Sequence, residues 1–225
     1  SEIAKSTGVI NTLIKENGTI FGYNTDVYGF EYLLDRNHLN VKNKRCLILG
    51  TGATGRTVEY CLNKREALSV KFFSRSPDNE NAFAYTDIQF VKDADFIINT
   101  TPENSLSLVD FKFAKPTAVF IDVIYNPYNT KMIIEARKNH LKAVNGLDML
   151  IGQAVRTYEL ARNTEIDFSV YDDIRHSLQK NHLNILLIGH PLAGKSEVAK
   201  LLSEQLGMPL IDVDKEIEKK HFMSV

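Results

Sequence analysis

The chain has 225 residues and a formal net charge of −1, with 27 basic and 28 acidic side chains. Hydrophobic residues make up 44% and charged residues 24%, which is ordinary for a globular protein and argues against disorder. The balanced charge creates no basic field for nucleic acid or anionic lipid, and no apolar run approaches the length of a membrane span.

The cysteine content indicates a reducing compartment. Cys46 and Cys61 are the only two cysteines, too few for a disulfide framework or a zinc cluster. We therefore expect a cytoplasmic protein in which both thiols are small buried hydrophobic groups. The six histidines show no paired spacing that would favour a metal site.

The first thirty residues predict a hairpin followed by a helix. The Asn17-Gly18 dipeptide, which two-residue hairpin turns prefer, separates the predicted strands at residues 9–14 and 19–23. Apolar side chains then recur at helical spacing over residues 27–36.

From residue 44 onward, short apolar runs alternate with helical patterns. Near-continuous apolar strands separated by helices indicate a parallel sheet covered on both faces, so the predicted fold class is α/β with a Rossmann-type doubly wound sheet. The predicted strands are residues 45–49, 69–73, 95–99, 118–123 and 142–144, and the predicted helices are residues 54–63, 130–139, 148–161 and 169–179.

The pattern restarts near residue 184. A further apolar run at residues 184–188 ends in Gly189, and a helix is predicted from Lys195. We place a domain boundary near residues 180–182. The remaining segment has about 44 residues, too few for an independent α/β core, so it is expected to be the beginning of a second α/β unit.

A glycine-rich turn follows the strand at residues 45–49. Its first glycine permits a tight turn, its second lets a pyrophosphate approach the backbone, and its third lets helix and strand pack closely. The context of a strand before it and a helix after it predicts dinucleotide binding; the alternative is a glycine-rich turn that holds no ligand. The residues concerned are Gly50, Thr51, Gly52, Ala53, Thr54 and Gly55.

The residues after the second strand indicate which dinucleotide binds. Ser74, Arg75 and Ser76 stand where proteins that prefer NAD usually have an acidic residue. A guanidinium with neighbouring hydroxyls would hold a 2′-phosphate that a carboxylate would repel. We therefore predict NADP rather than NAD, with an ordinary surface arginine as the alternative interpretation of Arg75.

Five further motifs accompany the glycine turn in a fixed order. The motifs are Gly8-Val9-Ile10-Asn11-Thr12, Gly22-Tyr23-Asn24-Thr25-Asp26, Asn99-Thr100-Thr101-Pro102, Asp122-Val123-Ile124-Tyr125-Asn126-Pro127 and Asn145-Gly146-Leu147-Asp148-Met149-Leu150-Ile151-Gly152-Gln153. With the glycine turn, they resemble the shikimate dehydrogenase family over residues 1 to about 179.

The resemblance implies an oxidoreductase that transfers a hydride reversibly between NADPH and 3-dehydroshikimate, in aromatic amino acid biosynthesis. Asp26 would assist proton transfer at the carbonyl. Turn chemistry and helix capping are the alternative roles of Asn11 and Asp26. The implied substrate-binding residues are Asn11, Asp26, Tyr125 and Gln153, and the residues implied near the nicotinamide are Val123, Gly146 and Met149.

A second chemical motif lies at residues 189–196. It has the spacing Gly-x-x-x-x-Gly-Lys-Ser between a predicted strand and a predicted helix, which is the context of a P-loop. Its amides would cradle the phosphates of ATP, Lys195 would reach the terminal ones, and Ser196 would ligate Mg²⁺. The predicted ATP-binding residues are Gly189, Gly194, Lys195 and Ser196.

After the P-loop helix, residues 207–214 predict a second strand that ends in an Asp-x-Asp pair, Asp212 and Asp214. Together with the loop it resembles shikimate kinase over residues 184–225, so the fold prediction includes the beginning of a P-loop kinase unit. The resemblance implies that Asp214 holds a hydroxyl of shikimate and that Asp212 sits near the metal. A solvated helix start is the alternative for the pair, and a separate NTPase is the alternative for the segment.

Combined, the two resemblances predict a bifunctional enzyme with a small-molecule substrate, shikimate or 3-dehydroshikimate, and with no nucleic-acid or membrane partner. The sequence leaves the number of subunits undetermined, with a homodimer as one alternative. The implied segments are a remnant of the substrate-binding domain (1–30), the NADP-binding Rossmann domain (31–147), helices returning to the substrate domain (148–180) and the truncated kinase-like segment (181–225).

The resemblance also leaves alternatives open. The family's catalytic lysine and its carboxylate-binding serine pair lie upstream of the Asn11 motif. We therefore expect either a C-terminal portion of the enzyme, inactive alone, or a nucleotide-binding chain without its chemistry. A dehydrogenase that uses quinate is a further alternative.

Overall fold

The computed structural model describes residues 1–77, 81–102, 108–180, 185–190, 193–207 and 209–221. Its internal contacts divide the chain into two units, Ser1–His182 and Leu183–Val225. None of the helices in these described ranges is both long and apolar enough to cross a membrane.

The first unit begins with a short helix, a hairpin and a longer helix. Helix α1 (Glu2–Thr7) was not predicted by the sequence pattern. Strands β1 (Thr12–Glu16) and β2 (Thr19–Tyr23) pair antiparallel around Asn17 and Gly18, both with positive φ, as the Asn-Gly dipeptide predicts. Helix α2 (Asp26–Arg36) follows directly.

A six-stranded sheet, in which every neighbouring pair is parallel, forms the centre of this unit. The strand order is β5-β4-β3-β6-β7-β8. From β3 the chain adds strands first toward one edge of the sheet (β4 and β5) and then, from β6 onward, toward the other edge. This confirms the predicted Rossmann-type doubly wound sheet. The strands are β3 (Arg45–Leu49), β4 (Ser69–Phe73), β5 (Ala82–Phe83), β6 (Phe96–Asn99), β7 (Val119–Asp122) and β8 (Lys142–Asn145).

Helices cover both faces of the sheet. Side chains of β3 alternate, so that Cys46 and Ile48 join the core under α2 and α3, while Leu47 and Leu49 join the core under α4 and α5. Burial on both faces explains why the strands are apolar throughout. The helices are α3 (Ala53–Lys64), α4 (Ile88–Asp93), α5 (Lys131–Lys138), α6 (Leu147–Arg162) and α7 (Phe168–Lys180).

Helix α6 crosses α2 where each helix has a glycine. A Cβ added to Gly152 would lie 2.9 Å from the Cα of Gly29, and a Cβ added to Gly29 would overlap the carbonyl oxygen of Met149. The two backbones therefore touch without an intervening side chain. This contact sets the start of α2 beside the part of α6 that carries Gln153.

Helix α7 is held on this pair of helices by charged groups. The carboxylate of Asp148 on α6 is nearly buried; its Oδ1 lies 3.0 Å from Nε of Arg175, and its Oδ2 accepts a 2.8 Å hydrogen bond from Asn37. A second ion pair joins Arg36 to Asp172 at 2.8 Å. The two contacts of Asp148 hold α6 to the end of α2 and to α7, and the Arg36–Asp172 pair joins α2 to α7.

The second unit contains helices α8 (Lys195–Leu206) and α9 (Val213–His221). The strand predicted at residues 184–188 is wrong for the described part, because residues 185–190 have no regular structure, and residues 209–212 form no strand either. A strand is stable only beside hydrogen-bonded neighbours, which these residues lack within the described ranges. Their apolar side chains are exposed instead, namely Ile185, Leu186, Ile188, Leu210 and Ile211.

The glycine contact between α2 and α6 is a testable feature of the first unit. We expect Gly29→Ala to lower the free energy of unfolding by about 1–3 kcal/mol, because the new methyl group must push α6 away. Urea unfolding followed by circular dichroism measures the change. The control is Ser177→Ala at an exposed position of α7, which should change stability little. An unchanged unfolding midpoint for Gly29→Ala would contradict the assigned contact.

Candidate functional site

The glycine turn joins β3 to α3 at the point where the strand order reverses. Gly50 has a φ of +100°, a conformation that disfavours other residues, and its N–H donates to the carbonyl of Phe73 at 2.9 Å. A Cβ on Gly55 would overlap the carbonyl oxygen of Gly50. The first and third glycines are therefore required by the backbone and by the close approach of helix and strand.

The second glycine of the turn faces open space. Gly52 has an ordinary φ of −72°, it precedes α3 without a side-chain cap, and a Cβ added there would meet nothing within 4 Å. Neither crowding nor backbone conformation requires glycine at this position. Open space at the positive end of a helix fits the approach of a phosphate group. Around it, Thr51 and Ala53 are exposed and Thr54 is half-buried.

The proposed 2′-phosphate residues follow β4, the strand beside β3. The hydroxyl of Ser74 accepts a hydrogen bond from the Ser76 N–H at 3.1 Å and donates to the Ser76 carbonyl at 3.1 Å. These two bonds close a tight turn, and the side chain of Arg75 is exposed. The turn lies at the same edge of the sheet as Gly50.

Two of the residues assigned to the nicotinamide side are in direct contact. A Cβ on Gly146 would overlap the carbonyl oxygen of Val123, and the N–H of Gly146 donates to the carbonyl of Ile124 at 3.1 Å. The loops after β7 and β8 are therefore packed backbone to backbone. Met149 lies in the first turn of the following helix and is buried.

The side chain of Asn11 is oriented by donors that surround its oxygen. Its Oδ1 accepts from the N–H of Thr25 at 2.9 Å and from the hydroxyls of Thr12 and Thr25 at 3.1 and 3.2 Å. Because a backbone N–H can only donate, the atom that faces it must be the oxygen. The amide nitrogen of Asn11 is thereby left as the group that can donate to Asp26.

Three threonine hydroxyls connect this asparagine to α6. Thr157 Oγ1 lies 3.1 Å from the Thr25 hydroxyl and 3.4 Å from the Thr12 hydroxyl, and it donates to the carbonyl of Gln153 at 2.8 Å. This threonine cluster (Thr12, Thr25 and Thr157) joins β1, the start of α2 and α6. It links the segments that carry three sequence-predicted residues from distant parts of the chain, namely Asn11, Asp26 and Gln153.

Asp26 is the half-buried titratable group of this region. Burial raises the pKa of its carboxyl group above the usual value of 3.8, and a hydrogen bond from the Asn11 side chain opposes that rise. A raised pKa suits a carboxyl group that exchanges a proton with a substrate. Tyr125, the fourth predicted substrate residue, lies in the connection after β7 and is 43% exposed.

A buried polar network was not among the predicted site residues. Asp122, Asn99 and Thr130 have at most 1% of their surface exposed. At the carboxyl end of β7, Asp122 accepts hydrogen bonds from Asn99 at the end of β6 and from Thr130 at the start of α5. Polar residues that close otherwise apolar strands are the sequence signal that could have identified them.

The phosphate loop of the second unit precedes α8. Gly194 has a φ of +76° and Gly189 packs against the Lys195 side chain. The ammonium of Lys195 donates to the carbonyls of Gly189 and His190 at 2.7 and 2.8 Å. A bound phosphate would have to replace these two carbonyls; residues 191 and 192 of the motif lie outside the described residues.

The predicted metal residues of this unit make local contacts. Ser196 and Asp214 are exposed, and Asp212 accepts from the N–H of Lys215 at 3.4 Å and pairs with its ammonium at 3.7 Å. Across the described ranges, no three His, Cys, Asp or Glu side chains are grouped in a way that could hold a metal ion.

Known proteins resemble the first unit over most of its length. A shikimate dehydrogenase (NADP(+)) of Clostridium perfringens is 32% identical in an alignment of 194 residues that covers 80% of this chain and 71% of that protein. A chorismate mutase/shikimate 5-dehydrogenase fusion protein from Clostridium acetobutylicum superposes with a TM-score of 0.75 at 32% identity, covering 80% of this chain and 71% of the other.

A further solved structure and a family model complete the comparison. The shikimate 5-dehydrogenase of Thermus thermophilus in complex with shikimate has a TM-score of 0.67 and 26% identity over 80% of this chain and 71% of its own. The family model of shikimate kinase matches residues 191–225.

The pKa of Asp26 predicts how stability depends on pH. Because the pKa is raised in the folded chain, the folded state binds more protons than the unfolded state between pH 3.8 and the raised pKa. The free energy of unfolding therefore falls as the pH rises through this range. Asp26→Asn should therefore raise the urea midpoint at pH 7 and flatten its pH dependence.

The matched control for Asp26→Asn is Asp35→Asn on the same helix. Arg65 hydrogen bonds to Asp35 and lowers the pKa of that carboxyl group, so this substitution should lower the urea midpoint at pH 7. A lower midpoint for Asp26→Asn would show that the Asn11 hydrogen bond outweighs burial.

Proposed function

The chain belongs to the shikimate dehydrogenase family. We therefore propose that it binds NADP(H) and shikimate and takes part in the reversible transfer of a hydride between NADPH and 3-dehydroshikimate. The observation that carries the proposal is the threonine cluster, which links the segments that carry Asn11, Asp26 and Gln153, namely the residues at the start of β1, the start of α2 and α6. A polyhydroxylated ring needs several converging donors and acceptors, and two amides with a carboxylate supply them.

The cofactor assignment is supported by the open face of the glycine turn. We assign the pyrophosphate to Gly50–Gly55 and the N-terminus of α3, and the 2′-phosphate to Ser74, Arg75 and Ser76. When NADPH is bound, it supplies the hydride. Val123, Gly146 and Met149 would border the nicotinamide side.

Asp26 is proposed as the residue that moves a proton. Its carboxyl group would give a proton to the substrate oxygen during reduction and take it back during oxidation. The raised pKa supports this role because it shifts the pKa of the carboxyl group toward neutral pH, where a group that both gives and takes a proton works best. Asn11 and Gln153 would fix the ring hydroxyls, with Tyr125 at the edge of the pocket.

We propose a separate binding role for each segment of the chain. Residues 1–30 and 148–180 would contact the substrate, residues 31–147 would bind the cofactor, and residues 181–225 would bind ATP. The group of Asn11, Asp26 and Gln153 contains no cation, so we assign it to substrate hydroxyls rather than to a carboxylate.

Cofactor selectivity provides the test of the dehydrogenase proposal. Arg75→Ala should weaken NADPH binding by about 10- to 100-fold, because a charge-assisted contact to the 2′-phosphate is lost, and leave NADH binding unchanged. Calorimetric titration of both cofactors measures this. The control is Arg137→Ala, an exposed arginine on α5. Equal affinity for the two cofactors, unaffected by Arg75→Ala, would contradict the assignment.

A substrate panel with the same chain separates the remaining alternatives. NADP-dependent oxidation of shikimate supports the dehydrogenase, whereas a preference for quinate identifies a quinate dehydrogenase. Cofactor binding without turnover of either substrate identifies a chain that binds the nucleotide but catalyses neither reaction.

The match to the shikimate kinase family model motivates a second, ATP-binding function. We propose that the chain belongs to a bifunctional enzyme in which Gly189, Gly194, Lys195 and Ser196 bind MgATP. Asp212 would stand near the metal and Asp214 near a shikimate hydroxyl. The two activities would act in succession on the same ring.

Nucleotide binding by the second unit can be measured directly. We expect the chain to bind MgATP weakly, with Lys195→Met lowering the affinity about tenfold through loss of the ammonium contact. We expect no shikimate 3-phosphate, since the described residues of this unit form no sheet. The control is Lys200→Met at an exposed position of α8. Phosphorylated product from this chain would overturn the expectation.

A further inference from the structure

Asp122 is a fully buried carboxylate at the carboxyl end of β7. Its Oδ1 accepts from the side-chain amide of Asn99 at 3.0 Å and from the N–H of Ile124 at 3.2 Å. Its Oδ2 accepts from the hydroxyl of Thr130 at 2.7 Å. Three donors from β6, the β7 loop and the start of α5 therefore converge on one side chain.

The network continues from Asp122 to the glycine turn. Asn99 Oδ1 accepts from the N–H and hydroxyl of Thr101 at 3.1 and 2.7 Å. The methyl group of Thr101 faces Gly50, where an added Cβ would approach it to 2.7 Å. One chain of contacts thus runs from the start of α5 across the strand ends to Gly50.

The chemistry of the network favours an acceptor at position 122. All three partners of Asp122 donate to it in the structure, and a carboxylate can accept from every one. An amide in its place would present an N–H to Thr130, whose hydroxyl would then have to accept instead of donate. Burial raises the pKa of Asp122, and the bonds from Thr130, Ile124 and Asn99 oppose that rise.

We propose that Asp122 is a positioning residue that holds the loop after β7 in place for the nicotinamide half of the cofactor. The inference rests on the proposed function, because it assigns Val123 to that half. Val123 follows Asp122 directly, and its carbonyl forms the backbone contact with Gly146. Releasing Asp122 would therefore loosen both loops on this side of the site.

The expected consequence is confined to one half of the ligand. NADPH contacts both halves of the proposed site, whereas adenosine 2′,5′-bisphosphate has no nicotinamide and reaches only the turns after β3 and β4. Asp122→Asn should therefore weaken NADPH about tenfold and change binding of the bisphosphate by less than about twofold. Calorimetric titration of the full chain with each ligand measures both affinities.

A carboxylate at the opposite edge of the sheet is the matched control. Asp95 precedes β6 and accepts from the N–H of Arg45 at 2.8 Å and from Lys115 at 2.8 Å. Asp95→Asn should lower stability without changing either affinity. A Thr130→Ser variant keeps the hydroxyl donor to Asp122 and should bind NADPH normally, whereas Thr130→Val should weaken it selectively.

The outcomes separate the inference from its premise. Equal losses for both ligands in Asp122→Asn, or no loss for either, overturn the positioning role. If Asp122→Asn does not fold, the Thr130→Val and Thr130→Ser pair decides, and equal NADPH affinity in that pair overturns it. If the unaltered chain binds neither ligand, the proposed cofactor site itself fails and the inference fails with it.

Discussion

The contact between Gly29 and Gly152 constrains the candidate site more than any other interaction. It joins the helix before the Rossmann sheet to the helix after it, backbone against backbone. Without a side chain between them, α2 and α6 have little freedom to slide or separate. The threonine cluster can form only at this spacing, because its hydroxyls lie within 3.1 to 3.4 Å of one another across β1, α2 and α6. The positions of Asn11, Asp26 and Gln153 therefore depend on the absence of a side chain at Gly29 and at Gly152.

Polar strand ends fix the other half of the site. Strands β6, β7 and β8 close with Asn99, Asp122 and Asn145, and each side chain bonds to a neighbouring loop. Asn145, for example, donates to the carbonyl of Tyr128 at 2.8 Å and accepts from the N–H of Leu147 at 3.2 Å. Loops are usually more mobile than strands, but here buried hydrogen bonds hold the loops after β6, β7 and β8 against the sheet. These loops are thereby ordered by the chain's own contacts.

The parts of the fold that the sequence could predict are those determined locally. The runs at residues 45–49 and 69–73 coincide with β3 and β4, since an apolar run between a turn and a helix suffices to indicate a strand buried on both faces. Strand β5 has two residues and α4 six, too few for a periodic pattern, so neither could be predicted. The glycine turn was predicted from its spacing together with the strand before it and the helix after it. The link from Thr157 to Thr25 was not, because hydrogen bonds between residues this far apart in sequence depend on the helix crossing.

The second unit shows the limit of local patterns most directly. Residues 185–188 are as apolar as β3, and both runs end in a glycine before a helix. Residues 45–49 become a strand because β4 and β6 pair with them on either side, while residues 185–188 have no such neighbours among the described residues. Ile188 is consequently 85% exposed, whereas Ile48 is fully buried. The phosphate loop then lacks the rigid strand that would aim its amides, and Lys195 bonds to the loop's own carbonyls. A fixed orientation of the amides in this loop therefore requires sheet neighbours for residues 185–188.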